Sequence, residues 1–322
     1  MARSATRTAV WAALIGNALV AATKAAAAVI SGSSAMLAEA GHSVIDTGNE
    51  ALLLYGMQRS RRRPDAEHPF GYGRELYFWS FIVALLLFGL GGVVAVVEGI
   101  SRIREPRPIE HPSVIYVVLA LSALFEGGSW LIAWRGFRPS VGDEGYLAAI
   151  ERSKDPPQFV VLLEDTAALI GVAIVFAGTW ASLHWNEPRI DGVASIAVGV
   201  LLGAVSILLA RESKALLIGE RADLKLQEAA FAIARSTAGV VCPNGLVSIH
   251  LAPDQVVVAL SVQFDDRLTT PVIEQAVVEM EEKIRRAQPQ VFVLYVKPQS
   301  AEAFAAAERR IGGHAFKGTQ AP

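Results

Sequence analysis

Long apolar runs, separated by short polar segments, fill the first two thirds of the chain. Six of them have roughly the 20 residues needed to cross a bilayer, near residues 9–31, 35–57, 76–100, 113–135, 158–182 and 192–211. The first run follows a basic start and continues through Ile30 without a convincing cleavage site, so we interpret it as a retained span rather than a signal peptide. The pattern predicts an all-α bundle of six transmembrane helices over residues 1–213.

After Arg211 the pattern changes to that of a water-soluble domain. Residues 224–238 have helical periodicity, "LVSIHLA" and "QVVVALSVQF" are typical of strands, "TPVIEQAVVEMEEKIRRAQ" of an amphipathic helix, and "VFVLYVKP" of a closing strand. The order α-β-β-α-β predicts a small ferredoxin-like α+β domain over residues 214–312, with one layer of helices. A last helical segment, "SAEAFAAAERRIG", precedes a tail, residues 313–322, that we expect to be flexible.

Composition and charge narrow the class of protein. The chain is 52% hydrophobic and 19% charged, which is too apolar for an ordinary soluble protein and indicates a membrane protein. A net charge of −2 gives no basic footprint for nucleic acid. The single cysteine, Cys242, excludes a disulfide framework within the chain and a zinc ribbon.

Arginines indicate the orientation of the spans. The linker "MQRSRRRPDAEHPFGYGRE" after the second span, "AWRGFRP" after the fourth and "ARESK" after the sixth are basic, so we expect these ends and both termini to be cytoplasmic. The opposite loop, "SRIREPRPIEHP", carries three arginines and weakens this bias without reversing it. We interpret the run "RSRRRPD" as fixing orientation and contacting anionic headgroups of the bilayer.

The second span carries polar groups that are costly in a membrane. Glu39, His42, Asp46 and Asn49 follow one another at i, i+3, i+7 and i+10 and therefore share a helical face. His42 and Asp46 lie one turn apart, and an imidazole with a carboxylate suits a divalent transition metal, zinc in particular. Two ligands do not close a site, so others must come from another helix.

The fifth span is the best source of those ligands. Glu164 and Asp165 stand side by side in an otherwise apolar run, and because adjacent residues point about 100° apart, we expect Asp165 to face the second span. Ionisable groups at this depth cost several kcal/mol each unless they are paired or hydrated, and they commonly mark an ion or proton path.

Structural pairing is the alternative interpretation of these acids. Lys24 in the first span could neutralise one carboxylate, but the remaining acids leave negative charge that a divalent cation or protons could balance. For Glu98 and Glu126, the structural and functional interpretations are equally well supported by the sequence.

At these residues the sequence resembles the cation diffusion facilitator family of metal transporters. "SGSSAMLAEAGHSVIDTGNEALLLYG" is similar to the family's second span and "HPFGYGRELYFWSF" to the start of its third. "HPFGYGRE", "SKDP" and "EDTAALIG" together resemble the branch of human zinc transporter 9. The resemblance covers about 300 residues.

The resemblance implies a site and an activity. His42 and Asp46 match the two second-span ligands and Asp165 matches the second fifth-span ligand, whereas the first falls on Val161, which cannot bind metal. Glu164, Asn49 or water must then supply the missing oxygen. The implied activity is efflux of Zn²⁺, or of Mn²⁺, Fe²⁺ or Co²⁺, in exchange for protons, by a homodimer that performs no covalent chemistry.

The family's cytosolic metal sites are altered here. In the loop before the third span, Asp65 and His68 are retained but Tyr72 stands at the other histidine position, so we expect that site to be lost or weak. In the soluble domain, Leu260 and Tyr295 occupy positions where relatives hold metal, which implies a dimer held by packing. The lone His250 is more typical of a packing or surface residue than of a ligand.

Three other functions are compatible with polar groups inside membrane spans. An intramembrane metalloprotease needs a motif such as H-E-x-x-H, which is absent. A channel needs a continuous polar pore, whereas the polar groups here concentrate in a few helices. A proton-coupled carrier of an organic solute is the more serious alternative.

Overall fold

The computed structural model describes residues 2–31, 34–106, 111–142 and 145–310, apart from the side chains of residues 2–4, 31, 34–39 and 42. The expected flexible tail, residues 313–322, lies outside the described residues. The chain divides into two compact units, Met1–Lys214 and Ala215–Pro322, which are described separately below.

The first unit is helical. Its helices are α1 (Ala2–Ser31), α2 (Ser34–Arg59), α3 (Glu75–Leu86), α4 (Val94–Arg104), α5 (Pro112–Phe137), α6 (Tyr146–Arg152), α7 (Pro156–Trp185) and α8 (Arg189–Ile218). A π-helical segment, Leu87–Val93, joins α3 to α4, and a 3₁₀ turn, Arg138–Ser140, follows α5. Neither the π-helical segment nor the short helix α6 was predicted from the sequence.

Five helical segments in the described part of the chain are long and apolar enough to cross a membrane. They are Ala5–Ile30, Glu75–Arg104, Pro112–Ser140, Pro156–Trp185 and Arg189–Ile218. The remaining predicted span, residues 35–57, forms α2, which has 26 residues but is more polar than the others. All six predicted runs are therefore helical, and five have the hydropathy of a span.

Helix α1 is central to the packing of this unit, since it packs against α2, α5 and α7. Helix α5 also packs against α7, and α2 against α3. Two side-chain hydrogen bonds fix these contacts: the Thr6 hydroxyl donates to Asp155 over 2.6 Å, and the Trp130 indole N–H donates to the Thr166 hydroxyl over 3.0 Å.

Glycines allow α4 and α8 to approach backbone to backbone. A Cβ atom on Gly99 would lie 2.6 Å from the carbonyl oxygen of Gly192, and a Cβ on Gly192 would lie 2.7 Å from that of Gly99. Close approach through small residues is a common basis of helix association in membranes, where burial of apolar surface supplies no driving force.

The second unit contains α9 (Leu224–Ser236), β1 (Val240–Ala252), β2 (Gln255–Phe264), α10 (Thr270–Ala287), β3 (Val291–Pro298) and α11 (Ala301–Arg310). Strand β2 lies between the other two, antiparallel to β1 and parallel to β3. The α-β-β-α-β order is the predicted one. Strand β1 begins at Val240 rather than at Leu246, because irregular pairing near Cys242 and Gly245 still allows it to follow β2.

The core of this unit lies between the sheet and the helices α9 and α10. Alternate strand residues face it, and Leu260 on β2 is fully buried there. The opposite face of the sheet presents a row of paired residues, Val247, Ala259 and Tyr295, and Tyr295 is 56% exposed. Next to this row, the Phe304 ring of α11 lies against Gly245.

Candidate functional site

Helix α2 brings three polar residues, two of them predicted site residues, into the interior of the helical unit. Asn49 is buried, Asp46 is partly buried, and Glu50, the next residue after Asn49, is fully buried. Asp46 and Glu50 are four residues apart and therefore lie on one face of the helix. The side chain of the other predicted ligand, His42, lies outside the described part of the structure.

Helix α7 contributes the acids of the fifth predicted span. Glu164 is 6% exposed and Asp165 is 2% exposed, in the middle of a long apolar helix. Val161, one turn before Asp165, is fully buried and offers no ligand atom. The hydrogen bond from Trp130 to Thr166 fixes α5 beside this turn of α7.

The acids of the two helices form one group. The Glu50 carboxylate lies within electrostatic range of Glu164, Asp165 and Asp46, and Glu164 lies within range of Asp46 and Asp165. We call Asp46, Asn49, Glu50, Glu164 and Asp165 the acidic cluster. The structure therefore brings together all the predicted ligands whose side chains it describes.

Most polar atoms of the acidic cluster have no hydrogen-bond partner among the described residues. These buried atoms are both amide atoms of Asn49, both carboxylate oxygens of Glu50 and of Glu164, and Oδ2 of Asp165. The Asn49 amide lies beside the Glu164 carboxylate, but without the distance and angle of a hydrogen bond. Burying a carboxylate without a partner costs several kcal/mol, so folded proteins rarely keep such groups without a ligand, a proton or water. The cluster is therefore suited to hold a positively charged species.

The described side chains do not converge into a finished metal site. Across the described ranges, no group of three or more His, Cys, Asp or Glu side chains is arranged to hold a metal ion. The side chain of His42 is not among those described. A complete set of ligands would require His42, a shift of the helices, or both.

Helices α1 and α5 border the cluster. Glu126 on α5 lies within electrostatic range of both Lys24 on α1 and Asp46, which favours the structural interpretation of Glu126 as a partner of a lysine. The hydroxyl of Ser129 lies beside Asp165, although by geometry it is buried without a hydrogen-bond partner among the described residues.

Glu98 has a structural role. Its carboxylate accepts a hydrogen bond of 2.6 Å from Arg102, and the same guanidinium also pairs with Asp191 at the start of α8. Arg102 thus links α4 to α8, and Glu98 stands apart from the acidic cluster.

In the loop between α2 and α3, the candidate metal ligand Asp65 is hydrogen-bonded within the loop. One oxygen of Asp65 accepts hydrogen bonds from the backbone N–H groups of Glu67 and His68, and the other accepts one of 2.7 Å from the Tyr72 hydroxyl. The Tyr72 and His68 bonds hold the pKa of Asp65 below its ordinary value. These contacts favour the expectation that a metal site in this loop is lost or weak.

The soluble domain gives a similar result. His250 is buried, with Nδ1 3.3 Å from the carbonyl oxygen of Ala252, as expected of a packing residue. Leu260 faces the core and cannot contact a partner, whereas Tyr295 faces outward.

Glu50 is the functional candidate that the sequence analysis did not select. Its spacing of four residues from Asp46 was a usable signal, since i and i+4 side chains share a face. The predicted polar face of α2 ended at Asn49, which precedes Glu50 by one residue and points about 100° away from it.

Comparison with known proteins also indicates a cation transporter. A family model described as the cation efflux transmembrane domain matches residues 10–218, more than half of the chain. The chain is 39% identical over 195 residues to "Metal tolerance protein C4" of Arabidopsis thaliana, a match covering 60% of this chain and 43% of that protein.

Two further relatives carry zinc in their names. "Proton-coupled zinc antiporter SLC30A9, mitochondrial" of Homo sapiens is 30% identical over 244 residues, covering 75% of this chain and 43% of that protein. "Zinc transporter ZitB" of Escherichia coli (strain K12) is 37% identical over 91 residues, covering 28% of this chain and 29% of that protein. The matched regions thus span less than half the length of each of these relatives.

The matched domain and the five apolar helical segments together make this a multi-pass integral membrane protein. The family match and the relatives agree with the motifs in the second, third and fifth predicted spans. The chain therefore belongs to the cation diffusion facilitator family of transporters, in the branch that resembles zinc transporter 9.

Proposed function

We propose that the protein is a proton-coupled antiporter that exports a divalent metal cation, Zn²⁺ first, by alternating access. The observation that carries the proposal is that three buried carboxylates of the acidic cluster come from two helices, and that both oxygens of Glu50 and of Glu164 and one of Asp165 lack hydrogen-bond partners among the described residues. Relatives named as zinc antiporters or zinc transporters support zinc as the first ion to test.

His42, Asp46 and Asp165 are the proposed metal ligands, with Glu164 or Asn49 supplying the donor that Val161 lacks. Imidazole nitrogen and carboxylate oxygen are both good zinc ligands. Asp46 and Asp165 come from different helices, so a relative movement of α2 and α7 would tighten or loosen the site. Such a movement is what alternating access requires of a buried site.

Proton coupling follows from the chemistry of these ligands. Imidazole and carboxylates must lose protons before they bind a metal, so metal binding competes with protons. Histidine titrates near physiological pH, which makes His42 a suitable residue to exchange metal for protons.

The proposed architecture has six spans, namely the five apolar segments and α2, with both termini in the cytoplasm. The cytoplasmic domain, residues 214–312, is proposed to be ferredoxin-like and to join two copies into a homodimer. The exposed row of Val247, Ala259 and Tyr295 is the apolar surface best placed for that contact. Residues 1–213 form the proposed transmembrane domain, in contact with the lipid bilayer.

Purified protein in liposomes tests the proposal. An imposed proton gradient should drive Zn²⁺ uptake, and Asp46→Ala and Asp165→Ala should each abolish it. Glu98→Gln, a change of the same kind of group in a neighbouring helix, should transport normally because Glu98 pairs with Arg102. Unchanged rates in both aspartate variants would overturn the site.

The second candidates are another divalent cation, such as Mn²⁺, Fe²⁺ or Co²⁺, and a small organic solute. Carboxylate-rich sites accept several divalent ions, and availability decides much of selectivity. Metal analysis of the purified protein, with competition among the four ions in the same liposomes, separates the ions. Proton flux through the protein that continues after all divalent metal is removed, when an organic solute is supplied, would favour the organic solute as substrate.

A further inference from the structure

Glu50 is the best-buried charged side chain of the acidic cluster, and the proposed ligand set leaves it without a role. We propose that Glu50 directly binds the transported cation and, with Glu164, forms an oxygen-rich half of the transport site. This inference rests on the proposed transport function and names a further residue of the same site.

The first support is that no described side chain compensates the charge of Glu50. The side chain is fully buried, and neither of its oxygens has a hydrogen-bond partner among the described residues. The charged groups that act on it most strongly are Glu164, Asp165 and Asp46, which are all acidic. A carboxylate held among other carboxylates, without a cation, is among the least favourable arrangements in a protein interior.

The second support is the direction of the side chain. Helical side chains point back toward the helix N-terminus, over the preceding turn. From position 50, this direction leads toward Asp46, one turn earlier, and His42 lies one turn earlier again. Glu50 thus continues the ligand-bearing face of α2 for a second turn.

The third support is the position of Val161. Val161, one turn before Asp165 on α7, is fully buried and offers no ligand atom. Glu50 on α2 lies within electrostatic range of both Glu164 and Asp165 on α7. Glu50 can therefore supply from α2 the oxygen that Val161 cannot supply from α7.

The proposal has a consequence for selectivity. Carboxylate oxygens are harder ligands than imidazole nitrogen, so a carboxylate added to the site favours ions that prefer oxygen, such as Mn²⁺, relative to Zn²⁺. Loss of the Glu50 carboxylate should therefore weaken Mn²⁺ binding more than Zn²⁺ binding.

Equilibrium binding of Mn²⁺ and of Zn²⁺ to the purified full-length protein tests this. Glu50→Gln keeps the size of the side chain and removes its charge, and we expect it to weaken Mn²⁺ binding by at least about tenfold, with a smaller loss for Zn²⁺. Glu98→Gln, whose carboxylate is paired with Arg102, is the matched control and should bind both ions as the wild type does.

The outcomes separate the two proposals. If Asp165→Ala loses binding and transport while Glu50→Gln keeps wild-type affinity for both ions, Glu50 is not a ligand and the proposed function stands. If Asp46→Ala and Asp165→Ala bind and transport normally, the proposed site fails, whereas a wild type that takes up no metal under a proton gradient would overturn the proposed function. An equal loss for both ions in Glu50→Gln would refute the part of Glu50 in selectivity.

Folding of each variant is checked by gel filtration and helical circular dichroism. If Glu50→Gln does not fold, Glu50→Asp provides the test, because it keeps the charge and withdraws the carboxylate by one carbon–carbon bond. Wild-type affinity in a folded Glu50→Asp would overturn the proposal, whereas weakened Mn²⁺ binding would support it.

Discussion

The contact of α4 with α8 makes a sharp prediction about stability. In Gly99→Ala, the new methyl group would lie 2.6 Å from the carbonyl oxygen of Gly192 and 2.7 Å from a side-chain carbon of Ile196. A backbone carbonyl cannot rotate away as the end of a side chain can. The two helices must therefore separate by several tenths of an ångström, and contacts along the interface weaken.

The expected loss comes from two opposing effects. Overpacking of this kind costs about 1–3 kcal/mol. Replacing a helical glycine by alanine returns roughly 0.5–1 kcal/mol through reduced backbone freedom in the unfolded chain. Overpacking is the larger effect over most of these ranges, so we expect a net loss of up to about 2.5 kcal/mol.

The control is Gly128→Ala on α5, where an added Cβ meets nothing within 4 Å. This variant should be neutral or more stable than the wild type. Unfolding of the purified variants in detergent, followed by circular dichroism, measures the difference. Gly99→Ala as stable as Gly128→Ala would refute the inferred backbone contact. The double variant Gly99→Ala, Gly192→Ala should lose less than the sum of its parts, since the first methyl already separates the helices.

Three further predictions use the same preparation. Arg102→Gln should destabilise the protein by about 1–3 kcal/mol in detergent unfolding, because it leaves two carboxylates without their shared cation. Arg189→Gln removes an exposed ion pair and should cost at most about 1 kcal/mol. Equal losses of stability in the two variants would contradict this prediction. Hydrogen bonds to the Asp65 carboxylate lower its pKa, so their contribution to the stability of the loop should be fully present above pH 3.8 and lost as the pH falls through the lowered pKa. Hydrogen exchange of the loop amides measures this loss of protection, and Asp65→Ala should remove the pH dependence. Tyr295→Asp should dissociate the proposed dimer in light scattering, whereas Val272→Asp on the exposed side of α10 should not; a dimeric Tyr295→Asp would refute the proposed interface.

Much of the fold was predictable because its signals are local. Apolar runs of span length each became a helix, and the alternating segment at residues 255–264 became β2 with the predicted bounds. The π-helical segment Leu87–Val93 had no local signal in the sequence, and its Gly92 lies against the backbone of α8, a partner distant in sequence. The beginning of β1 was missed for a related reason, because its bulges depend on pairing with β2.

The sequence predicted most residues of the candidate site, but not which further acids belong to it. Asp46, Asn49, Glu164 and Asp165 stand out as polar groups in helices that are otherwise apolar, and the structure places them in one cluster. Which acids are compensated could not be read from the chain. Glu98 and Glu50 are the same residue type in consecutive predicted spans, but Glu98 has Arg102 beside it, whereas the described charged groups that act most strongly on Glu50 are all acids.

The polarity of α2 connects its place in the membrane to its function. It is the one predicted span without the hydropathy of a membrane helix, and the residues that lower its hydropathy include Asp46, Asn49 and Glu50 of the acidic cluster. Because α1 and α3 pack against it, α2 can be held by its neighbours even though its own sequence favours insertion weakly. Replacing its acids by apolar residues would make it a better membrane helix and, if the cluster binds the cargo, a worse transporter. The cost of keeping charge in this helix is then understandable only if a cation or protons offset it during each cycle.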